Sequence, residues 1–132
     1  MKKIQVVGAI IIENKKLFSA KRGESKNPAV AFKYEFVGGK VEENESKEHA
    51  ITREVFEETD MQIEVIAPFM TVVYQYELYE VTLHTFLCER KSDYKIKEHE
   101  RADWFSVEEL NVSDWAPADE PILRALIEQK LI

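Results

Sequence analysis

The feature that most constrains this chain is a run of charged residues, REVFEE at positions 53–58, inside a stretch without proline or glycine from Ser46 to Thr59. The composition of that stretch and its apolar pair, Ile51 and Val55, predict a helix. At about 100° per residue, the glutamates of the run fall on one helix face. Like charges at this spacing repel one another, and the negative end of the helix dipole adds to the repulsion. A fold that contains this helix must compensate for the charge.

A divalent cation is one such compensation, because it converts repulsion between carboxylates into shared coordination. Oxygen ligands without a nearby set of histidines and cysteines favour Mg²⁺, or Mn²⁺, over zinc. The alternative is an acidic helix face in contact with water, which is the commoner meaning of glutamate-rich stretches. The spacing of the glutamates alone leaves these two interpretations open.

The size and charge of the chain limit its partners. It has 132 residues, of which 45% are hydrophobic, so we expect one domain over residues 1–132. Its 18 basic residues against 25 acidic ones give a formal net charge of −7, and the basic residues form no extended patch. Nucleic-acid polymers and membrane surfaces are therefore not expected as partners. A small phosphorylated ligand is compatible with this charge, because divalent cations can bridge two anions.

Two features bear on the cellular compartment. The one cysteine, Cys88, excludes an internal disulfide and lies in an apolar run typical of a buried strand. The apolar run from Val6 to Ile12 is interrupted by Gly8 and lacks a small-residue cleavage site, so we interpret it as a core strand rather than a signal peptide. These observations predict a cytoplasmic protein.

The remaining pattern predicts a mixed α/β fold. Apolar runs predict strands at about residues 4–12, 16–21, 34–37, 61–67, 70–79 and 81–90. Residues 13–15 separate the first two runs in the pattern of a hairpin. The motif from Ser106 to Glu109 is a capping box that predicts a short helix, and Pro121 opens a last helix with one apolar stripe. No repeat or linker divides the chain. We therefore expect one α/β unit with a helix on each side of a sheet.

A longer pattern surrounds the acidic helix: Gly39, five residues, Glu45, seven residues, and then REVFEETDM at positions 53–61. It resembles the Nudix box, the loop–helix–loop signature of the Nudix hydrolases, at every fixed position except one. At that position the family has glycine and this chain has Asp60. We expect Asp60 to end the helix in the left-handed conformation, which Asp adopts more readily than most residues, at a modest cost in stability.

The resemblance implies an α/β/α sandwich around a central mixed β-sheet, with a metal site on the box helix. It assigns Glu54, Glu57 and Glu58 as metal ligands and makes Glu54 the candidate base for the attacking water. Arg53 would orient these carboxylates, and an ordinary ion pair within the helix is its alternative role. The resemblance also implies that Glu45 braces the loop–helix–loop and that backbone groups of Gly38 and Gly39 border the metal and phosphates. Gly39 could equally be only a turn residue. Lys40 would contact phosphate, and a solvated side chain is its alternative.

Similarity to the MutT-like branch of the family extends over nearly the whole chain, through AKR at 20–22, YEF at 34–36, EH at 98–99 and WAPADEP at 115–121. In that branch a loop glutamate at the place of Glu98 completes the metal site, and a solvated glutamate is the alternative. Arg22 matches a contact to the nucleotide, with a surface charge as its alternative. Phe36 either stacks on the base or fills the core, and the core is favoured for an aromatic residue in an apolar strand.

The residue before the last helix, Asp119, reads the base in the MutT-like branch. An Asp carboxylate accepts hydrogen bonds only, so it would suit the exocyclic amine of cytosine. The alternative is that Asp119 caps the final helix. Near Tyr79 this chain lacks an arginine that relatives often carry.

These assignments imply a Mg²⁺-dependent enzyme, with Mn²⁺ as the other candidate cation, that releases a nucleoside monophosphate and pyrophosphate from a nucleoside triphosphate. Water would attack the β-phosphorus in line, and the substrate would be CTP, dCTP or a modified cytosine nucleotide. The alternatives are a sanitising diphosphatase of the 8-oxo-dGTP type, a hydrolase of nucleotide sugars or dinucleotide polyphosphates, and a module that senses a nucleotide without hydrolysing it. A monomer and a homodimer both stay open, because apolar edge strands can pair.

Overall fold

The hairpin at the start of the chain forms as the sequence predicts. The computed structural model describes residues 2–132. Strand β1 spans Lys2–Glu13 and pairs antiparallel with β2, which spans Lys16–Lys21. Asn14 and Lys15, between them, have positive φ angles of 52° and 63°. This is the conformation of a two-residue hairpin turn that matches the twist of the strands.

The remaining strands complete a mixed sheet. They are β3 (Tyr34–Glu35), β4 (Val37–Lys40), β5 (Ile63–Gln75), β6 (Tyr79–Arg90) and β7 (Arg101–Phe105). The strand order is β3-β2-β1-β6-β5, with β4 also pairing with β1 and β7 with β2. Strands β1 and β6 run parallel, while the other strand pairs are antiparallel. The mixed sheet agrees with the prediction.

The box helix, α1, spans Lys47–Thr59. The hydroxyl of Ser46 caps its start by accepting a hydrogen bond from the backbone N–H of His49 at 3.1 Å. Its end lies at Asp60, whose φ of 57° is left-handed and whose N–H donates to the carbonyl of Phe56 at 2.8 Å. The left-handed cap expected at Asp60 is confirmed.

The last helix, α2, spans Glu120–Glu128 with Pro121 in its first turn, as predicted. Short 3-10 turns at Val112–Asp114 and Pro117–Asp119 lead into it. The apolar stripe of α2 is fully buried: Ile122, Leu123 and Leu126 are each 0% exposed. In the described part of the chain, neither helix has the length and apolar character needed to cross a bilayer.

Strand β1 divides the core into two layers because its successive side chains point to opposite faces of the sheet. Val7 and Ala9 pack with α1, whereas Ile10 packs with α2 on the other face. Cys88 is buried in the layer of α1. The α/β/α sandwich implied by the resemblance is confirmed.

The division of residues 61–79 into two strands is wrong. Residues 63–75 form the one strand β5, and Tyr79 already belongs to β6. Pro68 stands within β5, and the pairing of β5 with β6 shifts register on both sides of it. An edge strand tolerates proline, because the missing N–H need not serve a second neighbour. The proline interrupts the pattern without interrupting the strand.

The short helix expected at Ser106–Glu109 is also wrong. The capping-box bond forms, since the Ser106 N–H donates to the carboxylate of Glu109 at 2.9 Å. The segment is a single turn, however, closed by hydrogen bonds from the Glu109 and Leu110 amides to the Ser106 carbonyl. Asn111 then caps the next 3-10 turn through its own side chain. Two capping residues so close together leave no room for a helix between them.

Candidate active site

Glu54 of α1 faces strand β4, which follows β3 after the single residue Phe36 and pairs with the middle of β1. Glu54 lies directly against Gly39, where an added Cβ would overlap with the Glu54 carboxylate. At Gly38 an added Cβ would overlap with the backbone of Val7 on β1. Both glycines of β4 are therefore required for close approach, one to a side chain and one to a strand.

Arg53 connects α1 to the loop that precedes it. Its guanidinium donates two hydrogen bonds to Glu45, at 2.7 and 2.9 Å, and a third to the carbonyl of Lys40 at 3.1 Å. The same group donates to Glu54 at 2.8 Å and to Glu57 at 3.3 Å. The Arg53 hydrogen bonds hold the pKa of Glu45 far below its usual range. This geometry fits the brace implied for Glu45, and it is compatible with both roles considered for Arg53, orienting the carboxylates and forming an ion pair within the helix.

Glu58 is the most unusual carboxylate of α1. One of its oxygens, Oε2, is buried without a hydrogen-bond partner. Burial raises its pKa to about 8, with further contributions from the negative charges of Glu35, Glu54 and Glu98. Burial also raises the pKa of Glu54, against the opposing effect of Arg53. Two neighbouring acids are thus held where their ionised forms are disfavoured.

Glu57 and Glu98 are more exposed than Glu54 and Glu58. The Glu57 side chain is 56% exposed and turns toward Arg53. Glu98 is exposed in the loop after β6, yet its charge contributes to the raised pKa of Glu58, so it lies nearby. Within residues 2–132, no three acidic, histidine or cysteine side chains already stand together as an ion site. The structure gathers Glu54 and Glu58, with Glu57 and Glu98 at their margin.

The donor chemistry fits a divalent cation. All the candidate side chains offer carboxylate oxygens, which are the ligands that Mg²⁺ and Mn²⁺ favour. An unpartnered buried oxygen such as that of Glu58 is costly unless something binds it. A cation at this place would also offset the burial that raises the pKa of Glu58 and Glu54, together with the repulsion from other acids that adds to it.

A cavity of about 460 Å³ opens beside Glu58. Its wall includes all five residues that the resemblance assigns to the substrate and two assigned to the metal. The substrate residues are Arg22, Phe36, Gly39, Lys40 and Asp119, and the metal residues are Gly38 and Glu58. Arg53, Glu54, Glu57 and Glu98 are not part of this wall. The space therefore continues from the acidic face of α1 to the start of α2.

Asp119 is buried in the cavity wall, and its Oδ2 accepts a hydrogen bond from the Phe36 N–H at 3.2 Å. It makes no side-chain hydrogen bond to α2, so the capping alternative is wrong. Burial raises its pKa well above the usual value, and the charge of Glu35 adds to the effect. The protonated form that this favours can donate as well as accept a hydrogen bond, which removes the premise that Asp119 only accepts.

Phe36 is 4% exposed and packs on Trp115, with ring centroids 5.2 Å apart. The favoured core interpretation is therefore confirmed, although Phe36 also reaches the cavity. Arg22 is not an isolated surface charge, since it donates to Glu35 at 3.2 Å. Each of these two side chains combines a structural contact with a place in the cavity wall.

Sequence reasoning did not assign Glu35, Tyr76 and Tyr79 to the site, although all three lie in the cavity wall and make polar contacts there. Glu35 accepts hydrogen bonds from Arg22 and, at 2.8 Å, from the imidazole Nε2 of His99. Tyr76 accepts one from the Ala118 N–H at 3.2 Å, and Tyr79 accepts one from the side-chain amide of Asn27 at 2.8 Å. Glu35 stands inside the YEF motif and was detectable there. Nothing in the pattern of residues 74–79 distinguishes wall tyrosines from core tyrosines.

Comparisons with known proteins agree with this geometry. The family profile described as NUDIX domain matches residues 2–126. The chain is 35% identical over 128 residues to the 8-oxo-dGTP diphosphatase of Escherichia coli K12, across 96% of this chain and 98% of that protein. It is 34% identical over 130 residues to the CTP pyrophosphohydrolase of the same organism, across 96% and 93% of the two chains.

Solved structures give the same result. The solution structure of the E. coli ORF135 protein superposes with a TM-score of 0.85 at 32% identity, covering 98% of this chain and 92% of that one. The solution structure of the MutT protein from methicillin-resistant Staphylococcus aureus 252 superposes with a TM-score of 0.74 at 35% identity, covering 98% and 99%.

Proposed function

Because this chain belongs to the NUDIX domain family of hydrolases, we propose that it converts a nucleoside triphosphate and water into a nucleoside monophosphate and pyrophosphate with the help of Mg²⁺. The observation that carries the proposal is the buried, unpartnered carboxylate oxygen of Glu58, which lies next to Glu54 and in the wall of the cavity. Mn²⁺ is the other cation that this donor set suits. The proposal treats residues 1–132 as one domain.

In this proposal the acidic side chains hold the cation and activate the attacking water. A divalent cation, when bound, neutralises charge on the polyphosphate. Glu54, Glu57, Glu58 and Glu98, with the carbonyl of Gly38, hold it. Glu54 also accepts a proton from the attacking water, a role that its raised pKa favours and that the 2.8 Å contact with Arg53 orients.

The phosphates are held by other groups. Lys40 and Arg22 lie in the cavity wall, where their charges would attract them, and Gly39 lets the backbone approach closely. Attack of water in line on the β-phosphorus breaks its bond to the α,β-bridging oxygen, which leaves with the monophosphate. No covalent intermediate with the protein is required.

The base is read by Asp119 in this proposal. A protonated carboxyl matches a base edge that carries a donor beside an acceptor. Cytosine offers the N4 amine beside N3, so CTP, dCTP and their modified forms are the first candidates. Oxidised guanine offers N7–H beside O6, and the raised pKa of Asp119 favours it as the second candidate. Relatives that carry either name match this chain to a similar degree.

A hydrolysis screen tests the proposal. CTP, dCTP, 5-methyl-dCTP, 8-oxo-dGTP, a nucleotide sugar and a dinucleotide polyphosphate are incubated with the protein and Mg²⁺, and phosphate and pyrophosphate are measured separately. We expect pyrophosphate from a cytosine nucleotide or from 8-oxo-dGTP. In water labelled with a heavy oxygen isotope, attack at the β-phosphorus places the label in pyrophosphate and not in the monophosphate.

Three results would replace the proposal with another. Preferential cleavage of the nucleotide sugar or the dinucleotide would change the substrate class. Label in the monophosphate would move the attack to the α-phosphorus. Tight binding of one nucleotide without hydrolysis of any compound would favour the sensing module. The monomeric or dimeric state and the cytoplasmic location stay predictions, for which size-exclusion chromatography and cell fractionation are the measurements.

A further inference from the structure

Asp60 departs from the glycine of the Nudix box and carries an ion pair that glycine cannot form. Its carboxylate lies 2.6 Å from the ammonium of Lys97. Lys97 stands in the loop between β6 and β7, next to Glu98. The left-handed φ of 57° at Asp60 is one that glycine adopts without cost, whereas a residue with a Cβ is strained there. A side chain retained at a strained position calls for a contact that compensates.

A second side-chain contact holds the same loop on the other side of Glu98. The imidazole Nε2 of His99 lies 2.8 Å from Glu35, and the His99 side chain is only 5% exposed. Glu35 is in turn fixed by Arg22 at 3.2 Å. His99 is therefore anchored to Glu35, a residue of the cavity wall, while its neighbour Glu98 is exposed.

Backbone hydrogen bonds fix the two ends of this segment. The Lys95 N–H donates to the carbonyl of Thr59, at the end of α1, at 2.7 Å. The Glu100 N–H donates to the carbonyl of Lys21, at the end of β2, at 2.9 Å. Residues 95–100 thus bridge from α1 to β2, with Glu98 between the anchored side chains of its two neighbours.

We propose that Asp60 is a positioning residue: its ion pair with Lys97, together with the Glu35–His99 contact, holds residues 95–100 so that Glu98 stays beside Glu58. The role of Glu98 as a cation ligand rests on the proposed function. A loop already held in place loses less conformational entropy when its carboxylate binds a cation, so the tethers increase affinity for the cation. The departure from the box then serves the cation site instead of weakening it.

Asp60→Gly gives the sharpest test, because it removes the tether while relieving backbone strain. We expect its melting temperature to be unchanged or raised. Without a cation, amide hydrogen exchange at Lys95 and Glu100 should be faster in Asp60→Gly than in the unchanged protein. Binding of Mn²⁺, followed by the electron paramagnetic resonance signal of the free ion, weakens about two- to fivefold, the range for one partly exposed ion pair. Asp60→Asn, which keeps the favourable cap but loses the charge, shows the same direction.

Other variants separate a tether from a general structural effect. Lys97→Met should reproduce the exchange and Mn²⁺ results of Asp60→Gly. His99→Leu should weaken Mn²⁺ binding more strongly, by about tenfold, because its contact is buried, and His99→Gln, which keeps a donor, should recover part of the loss. Lys91→Met is the control, since it removes the ion pairs of Lys91 with Glu89 and Glu64, outside residues 95–100, and should change neither measurement. The KM for the nucleotide at saturating Mn²⁺ should not move in Asp60→Gly or Lys97→Met.

Unchanged exchange and unchanged Mn²⁺ affinity in Asp60→Gly would overturn the proposal. Faster exchange with unchanged Mn²⁺ binding in both Asp60→Gly and Glu98→Gln would overturn it too, because Glu98 would then hold no cation. In that second case, loss of Mn²⁺ binding in Glu54→Gln would leave the proposed hydrolase intact. If Glu54→Gln and Glu58→Gln also bound Mn²⁺ normally, both the positioning role of Asp60 and the proposed function would be contradicted.

Discussion

At the scale of single residues, Glu58 differs most from an ordinary surface glutamate. It combines an unpartnered buried oxygen with three acidic neighbours, and only Arg22 opposes them. Its pKa of about 8 lies above the usual 4.5, so the folded protein binds more protons than the unfolded chain between these pH values. In the absence of a cation, its contribution to stability is present below the lower value and is lost as the pH rises through the upper one.

Glu58→Gln should therefore change how stability depends on pH. We expect the cation-free variant to gain about 4 kcal/mol at about pH 8 and about 1 kcal/mol at about pH 5, because ionisation of Glu58 stabilises the unfolded chain far more than the folded one at the higher pH. Urea unfolding at both pH values, with a chelator present, measures the difference. Parallel pH dependence in the variant and the unchanged protein would show that burial of Glu58 is not what raises its pKa.

The glutamates nearest the attacking water should control turnover without controlling the fold. We expect Glu54→Gln to lower kcat by about 10²–10⁴-fold, the range for removal of a general base, and Glu57→Gln to lower it by orders of magnitude through loss of a cation ligand. Far-ultraviolet circular dichroism should not change. Glu48→Gln, in the exposed first turn of α1, is the matched control. Near-normal turnover in both site variants would reject the assignment.

At the scale of elements, the two glycines of β4 should respond differently to the same change. Gly38→Ala places a methyl group against the backbone of β1, which cannot move aside, so the sheet should be destabilised and the melting temperature should fall. Gly39→Ala meets only the flexible end of Glu54, so the fold should persist while Glu54 is displaced and kcat falls. Thermal melts and kcat values of both variants, measured together, check the contrast. Equal loss of stability in the two variants would contradict it.

Most elements could be predicted because local signals and tertiary packing agree. The spacing of apolar residues in α1 and Pro121 at the start of α2 each indicate a helix. The polar residues after β1 indicate a hairpin turn. The errors arose where a local signal was outweighed. Pro68 suggests a break, but its place on an edge strand makes it harmless. The Ser106 capping box forms its hydrogen bond, but the next cap follows too soon for a helix.

The site was predictable only in part. The box placed the glutamates on one helix face, and the chemistry of left-handed caps placed Asp60 at the end of that helix. The raised pKa of Asp119 was not predictable, because it depends on burial by residues distant in sequence. The contact between Glu35 and His99 joins residues 64 positions apart, which no local pattern reports.

At the scale of the whole molecule, the net charge of −7 makes the protein sensitive to divalent cations. If Mg²⁺ binds the folded state alone, a concentration about ten times its Kd should add about 1.4 kcal/mol to the free energy of unfolding. We expect a rise in melting temperature of about 4 °C. NaCl at matched ionic strength controls for screening, and Glu54→Gln should lose the effect of Mg²⁺. An equal rise with NaCl would indicate a diffuse charge effect and no bound cation.

The alternation of side chains along β1 has a consequence for how such a protein can diversify. The apolar side chains of the layer that carries the box helix and those of the layer that carries the wall tyrosines form two separate clusters on the two faces of β1. If Asp119 reads the base as proposed, mutations in the second layer should alter which base is accepted without changing the apolar packing that supports the box helix. In evolutionary terms, one ancestral catalytic site could be inherited unchanged while descendant proteins acquired different base preferences.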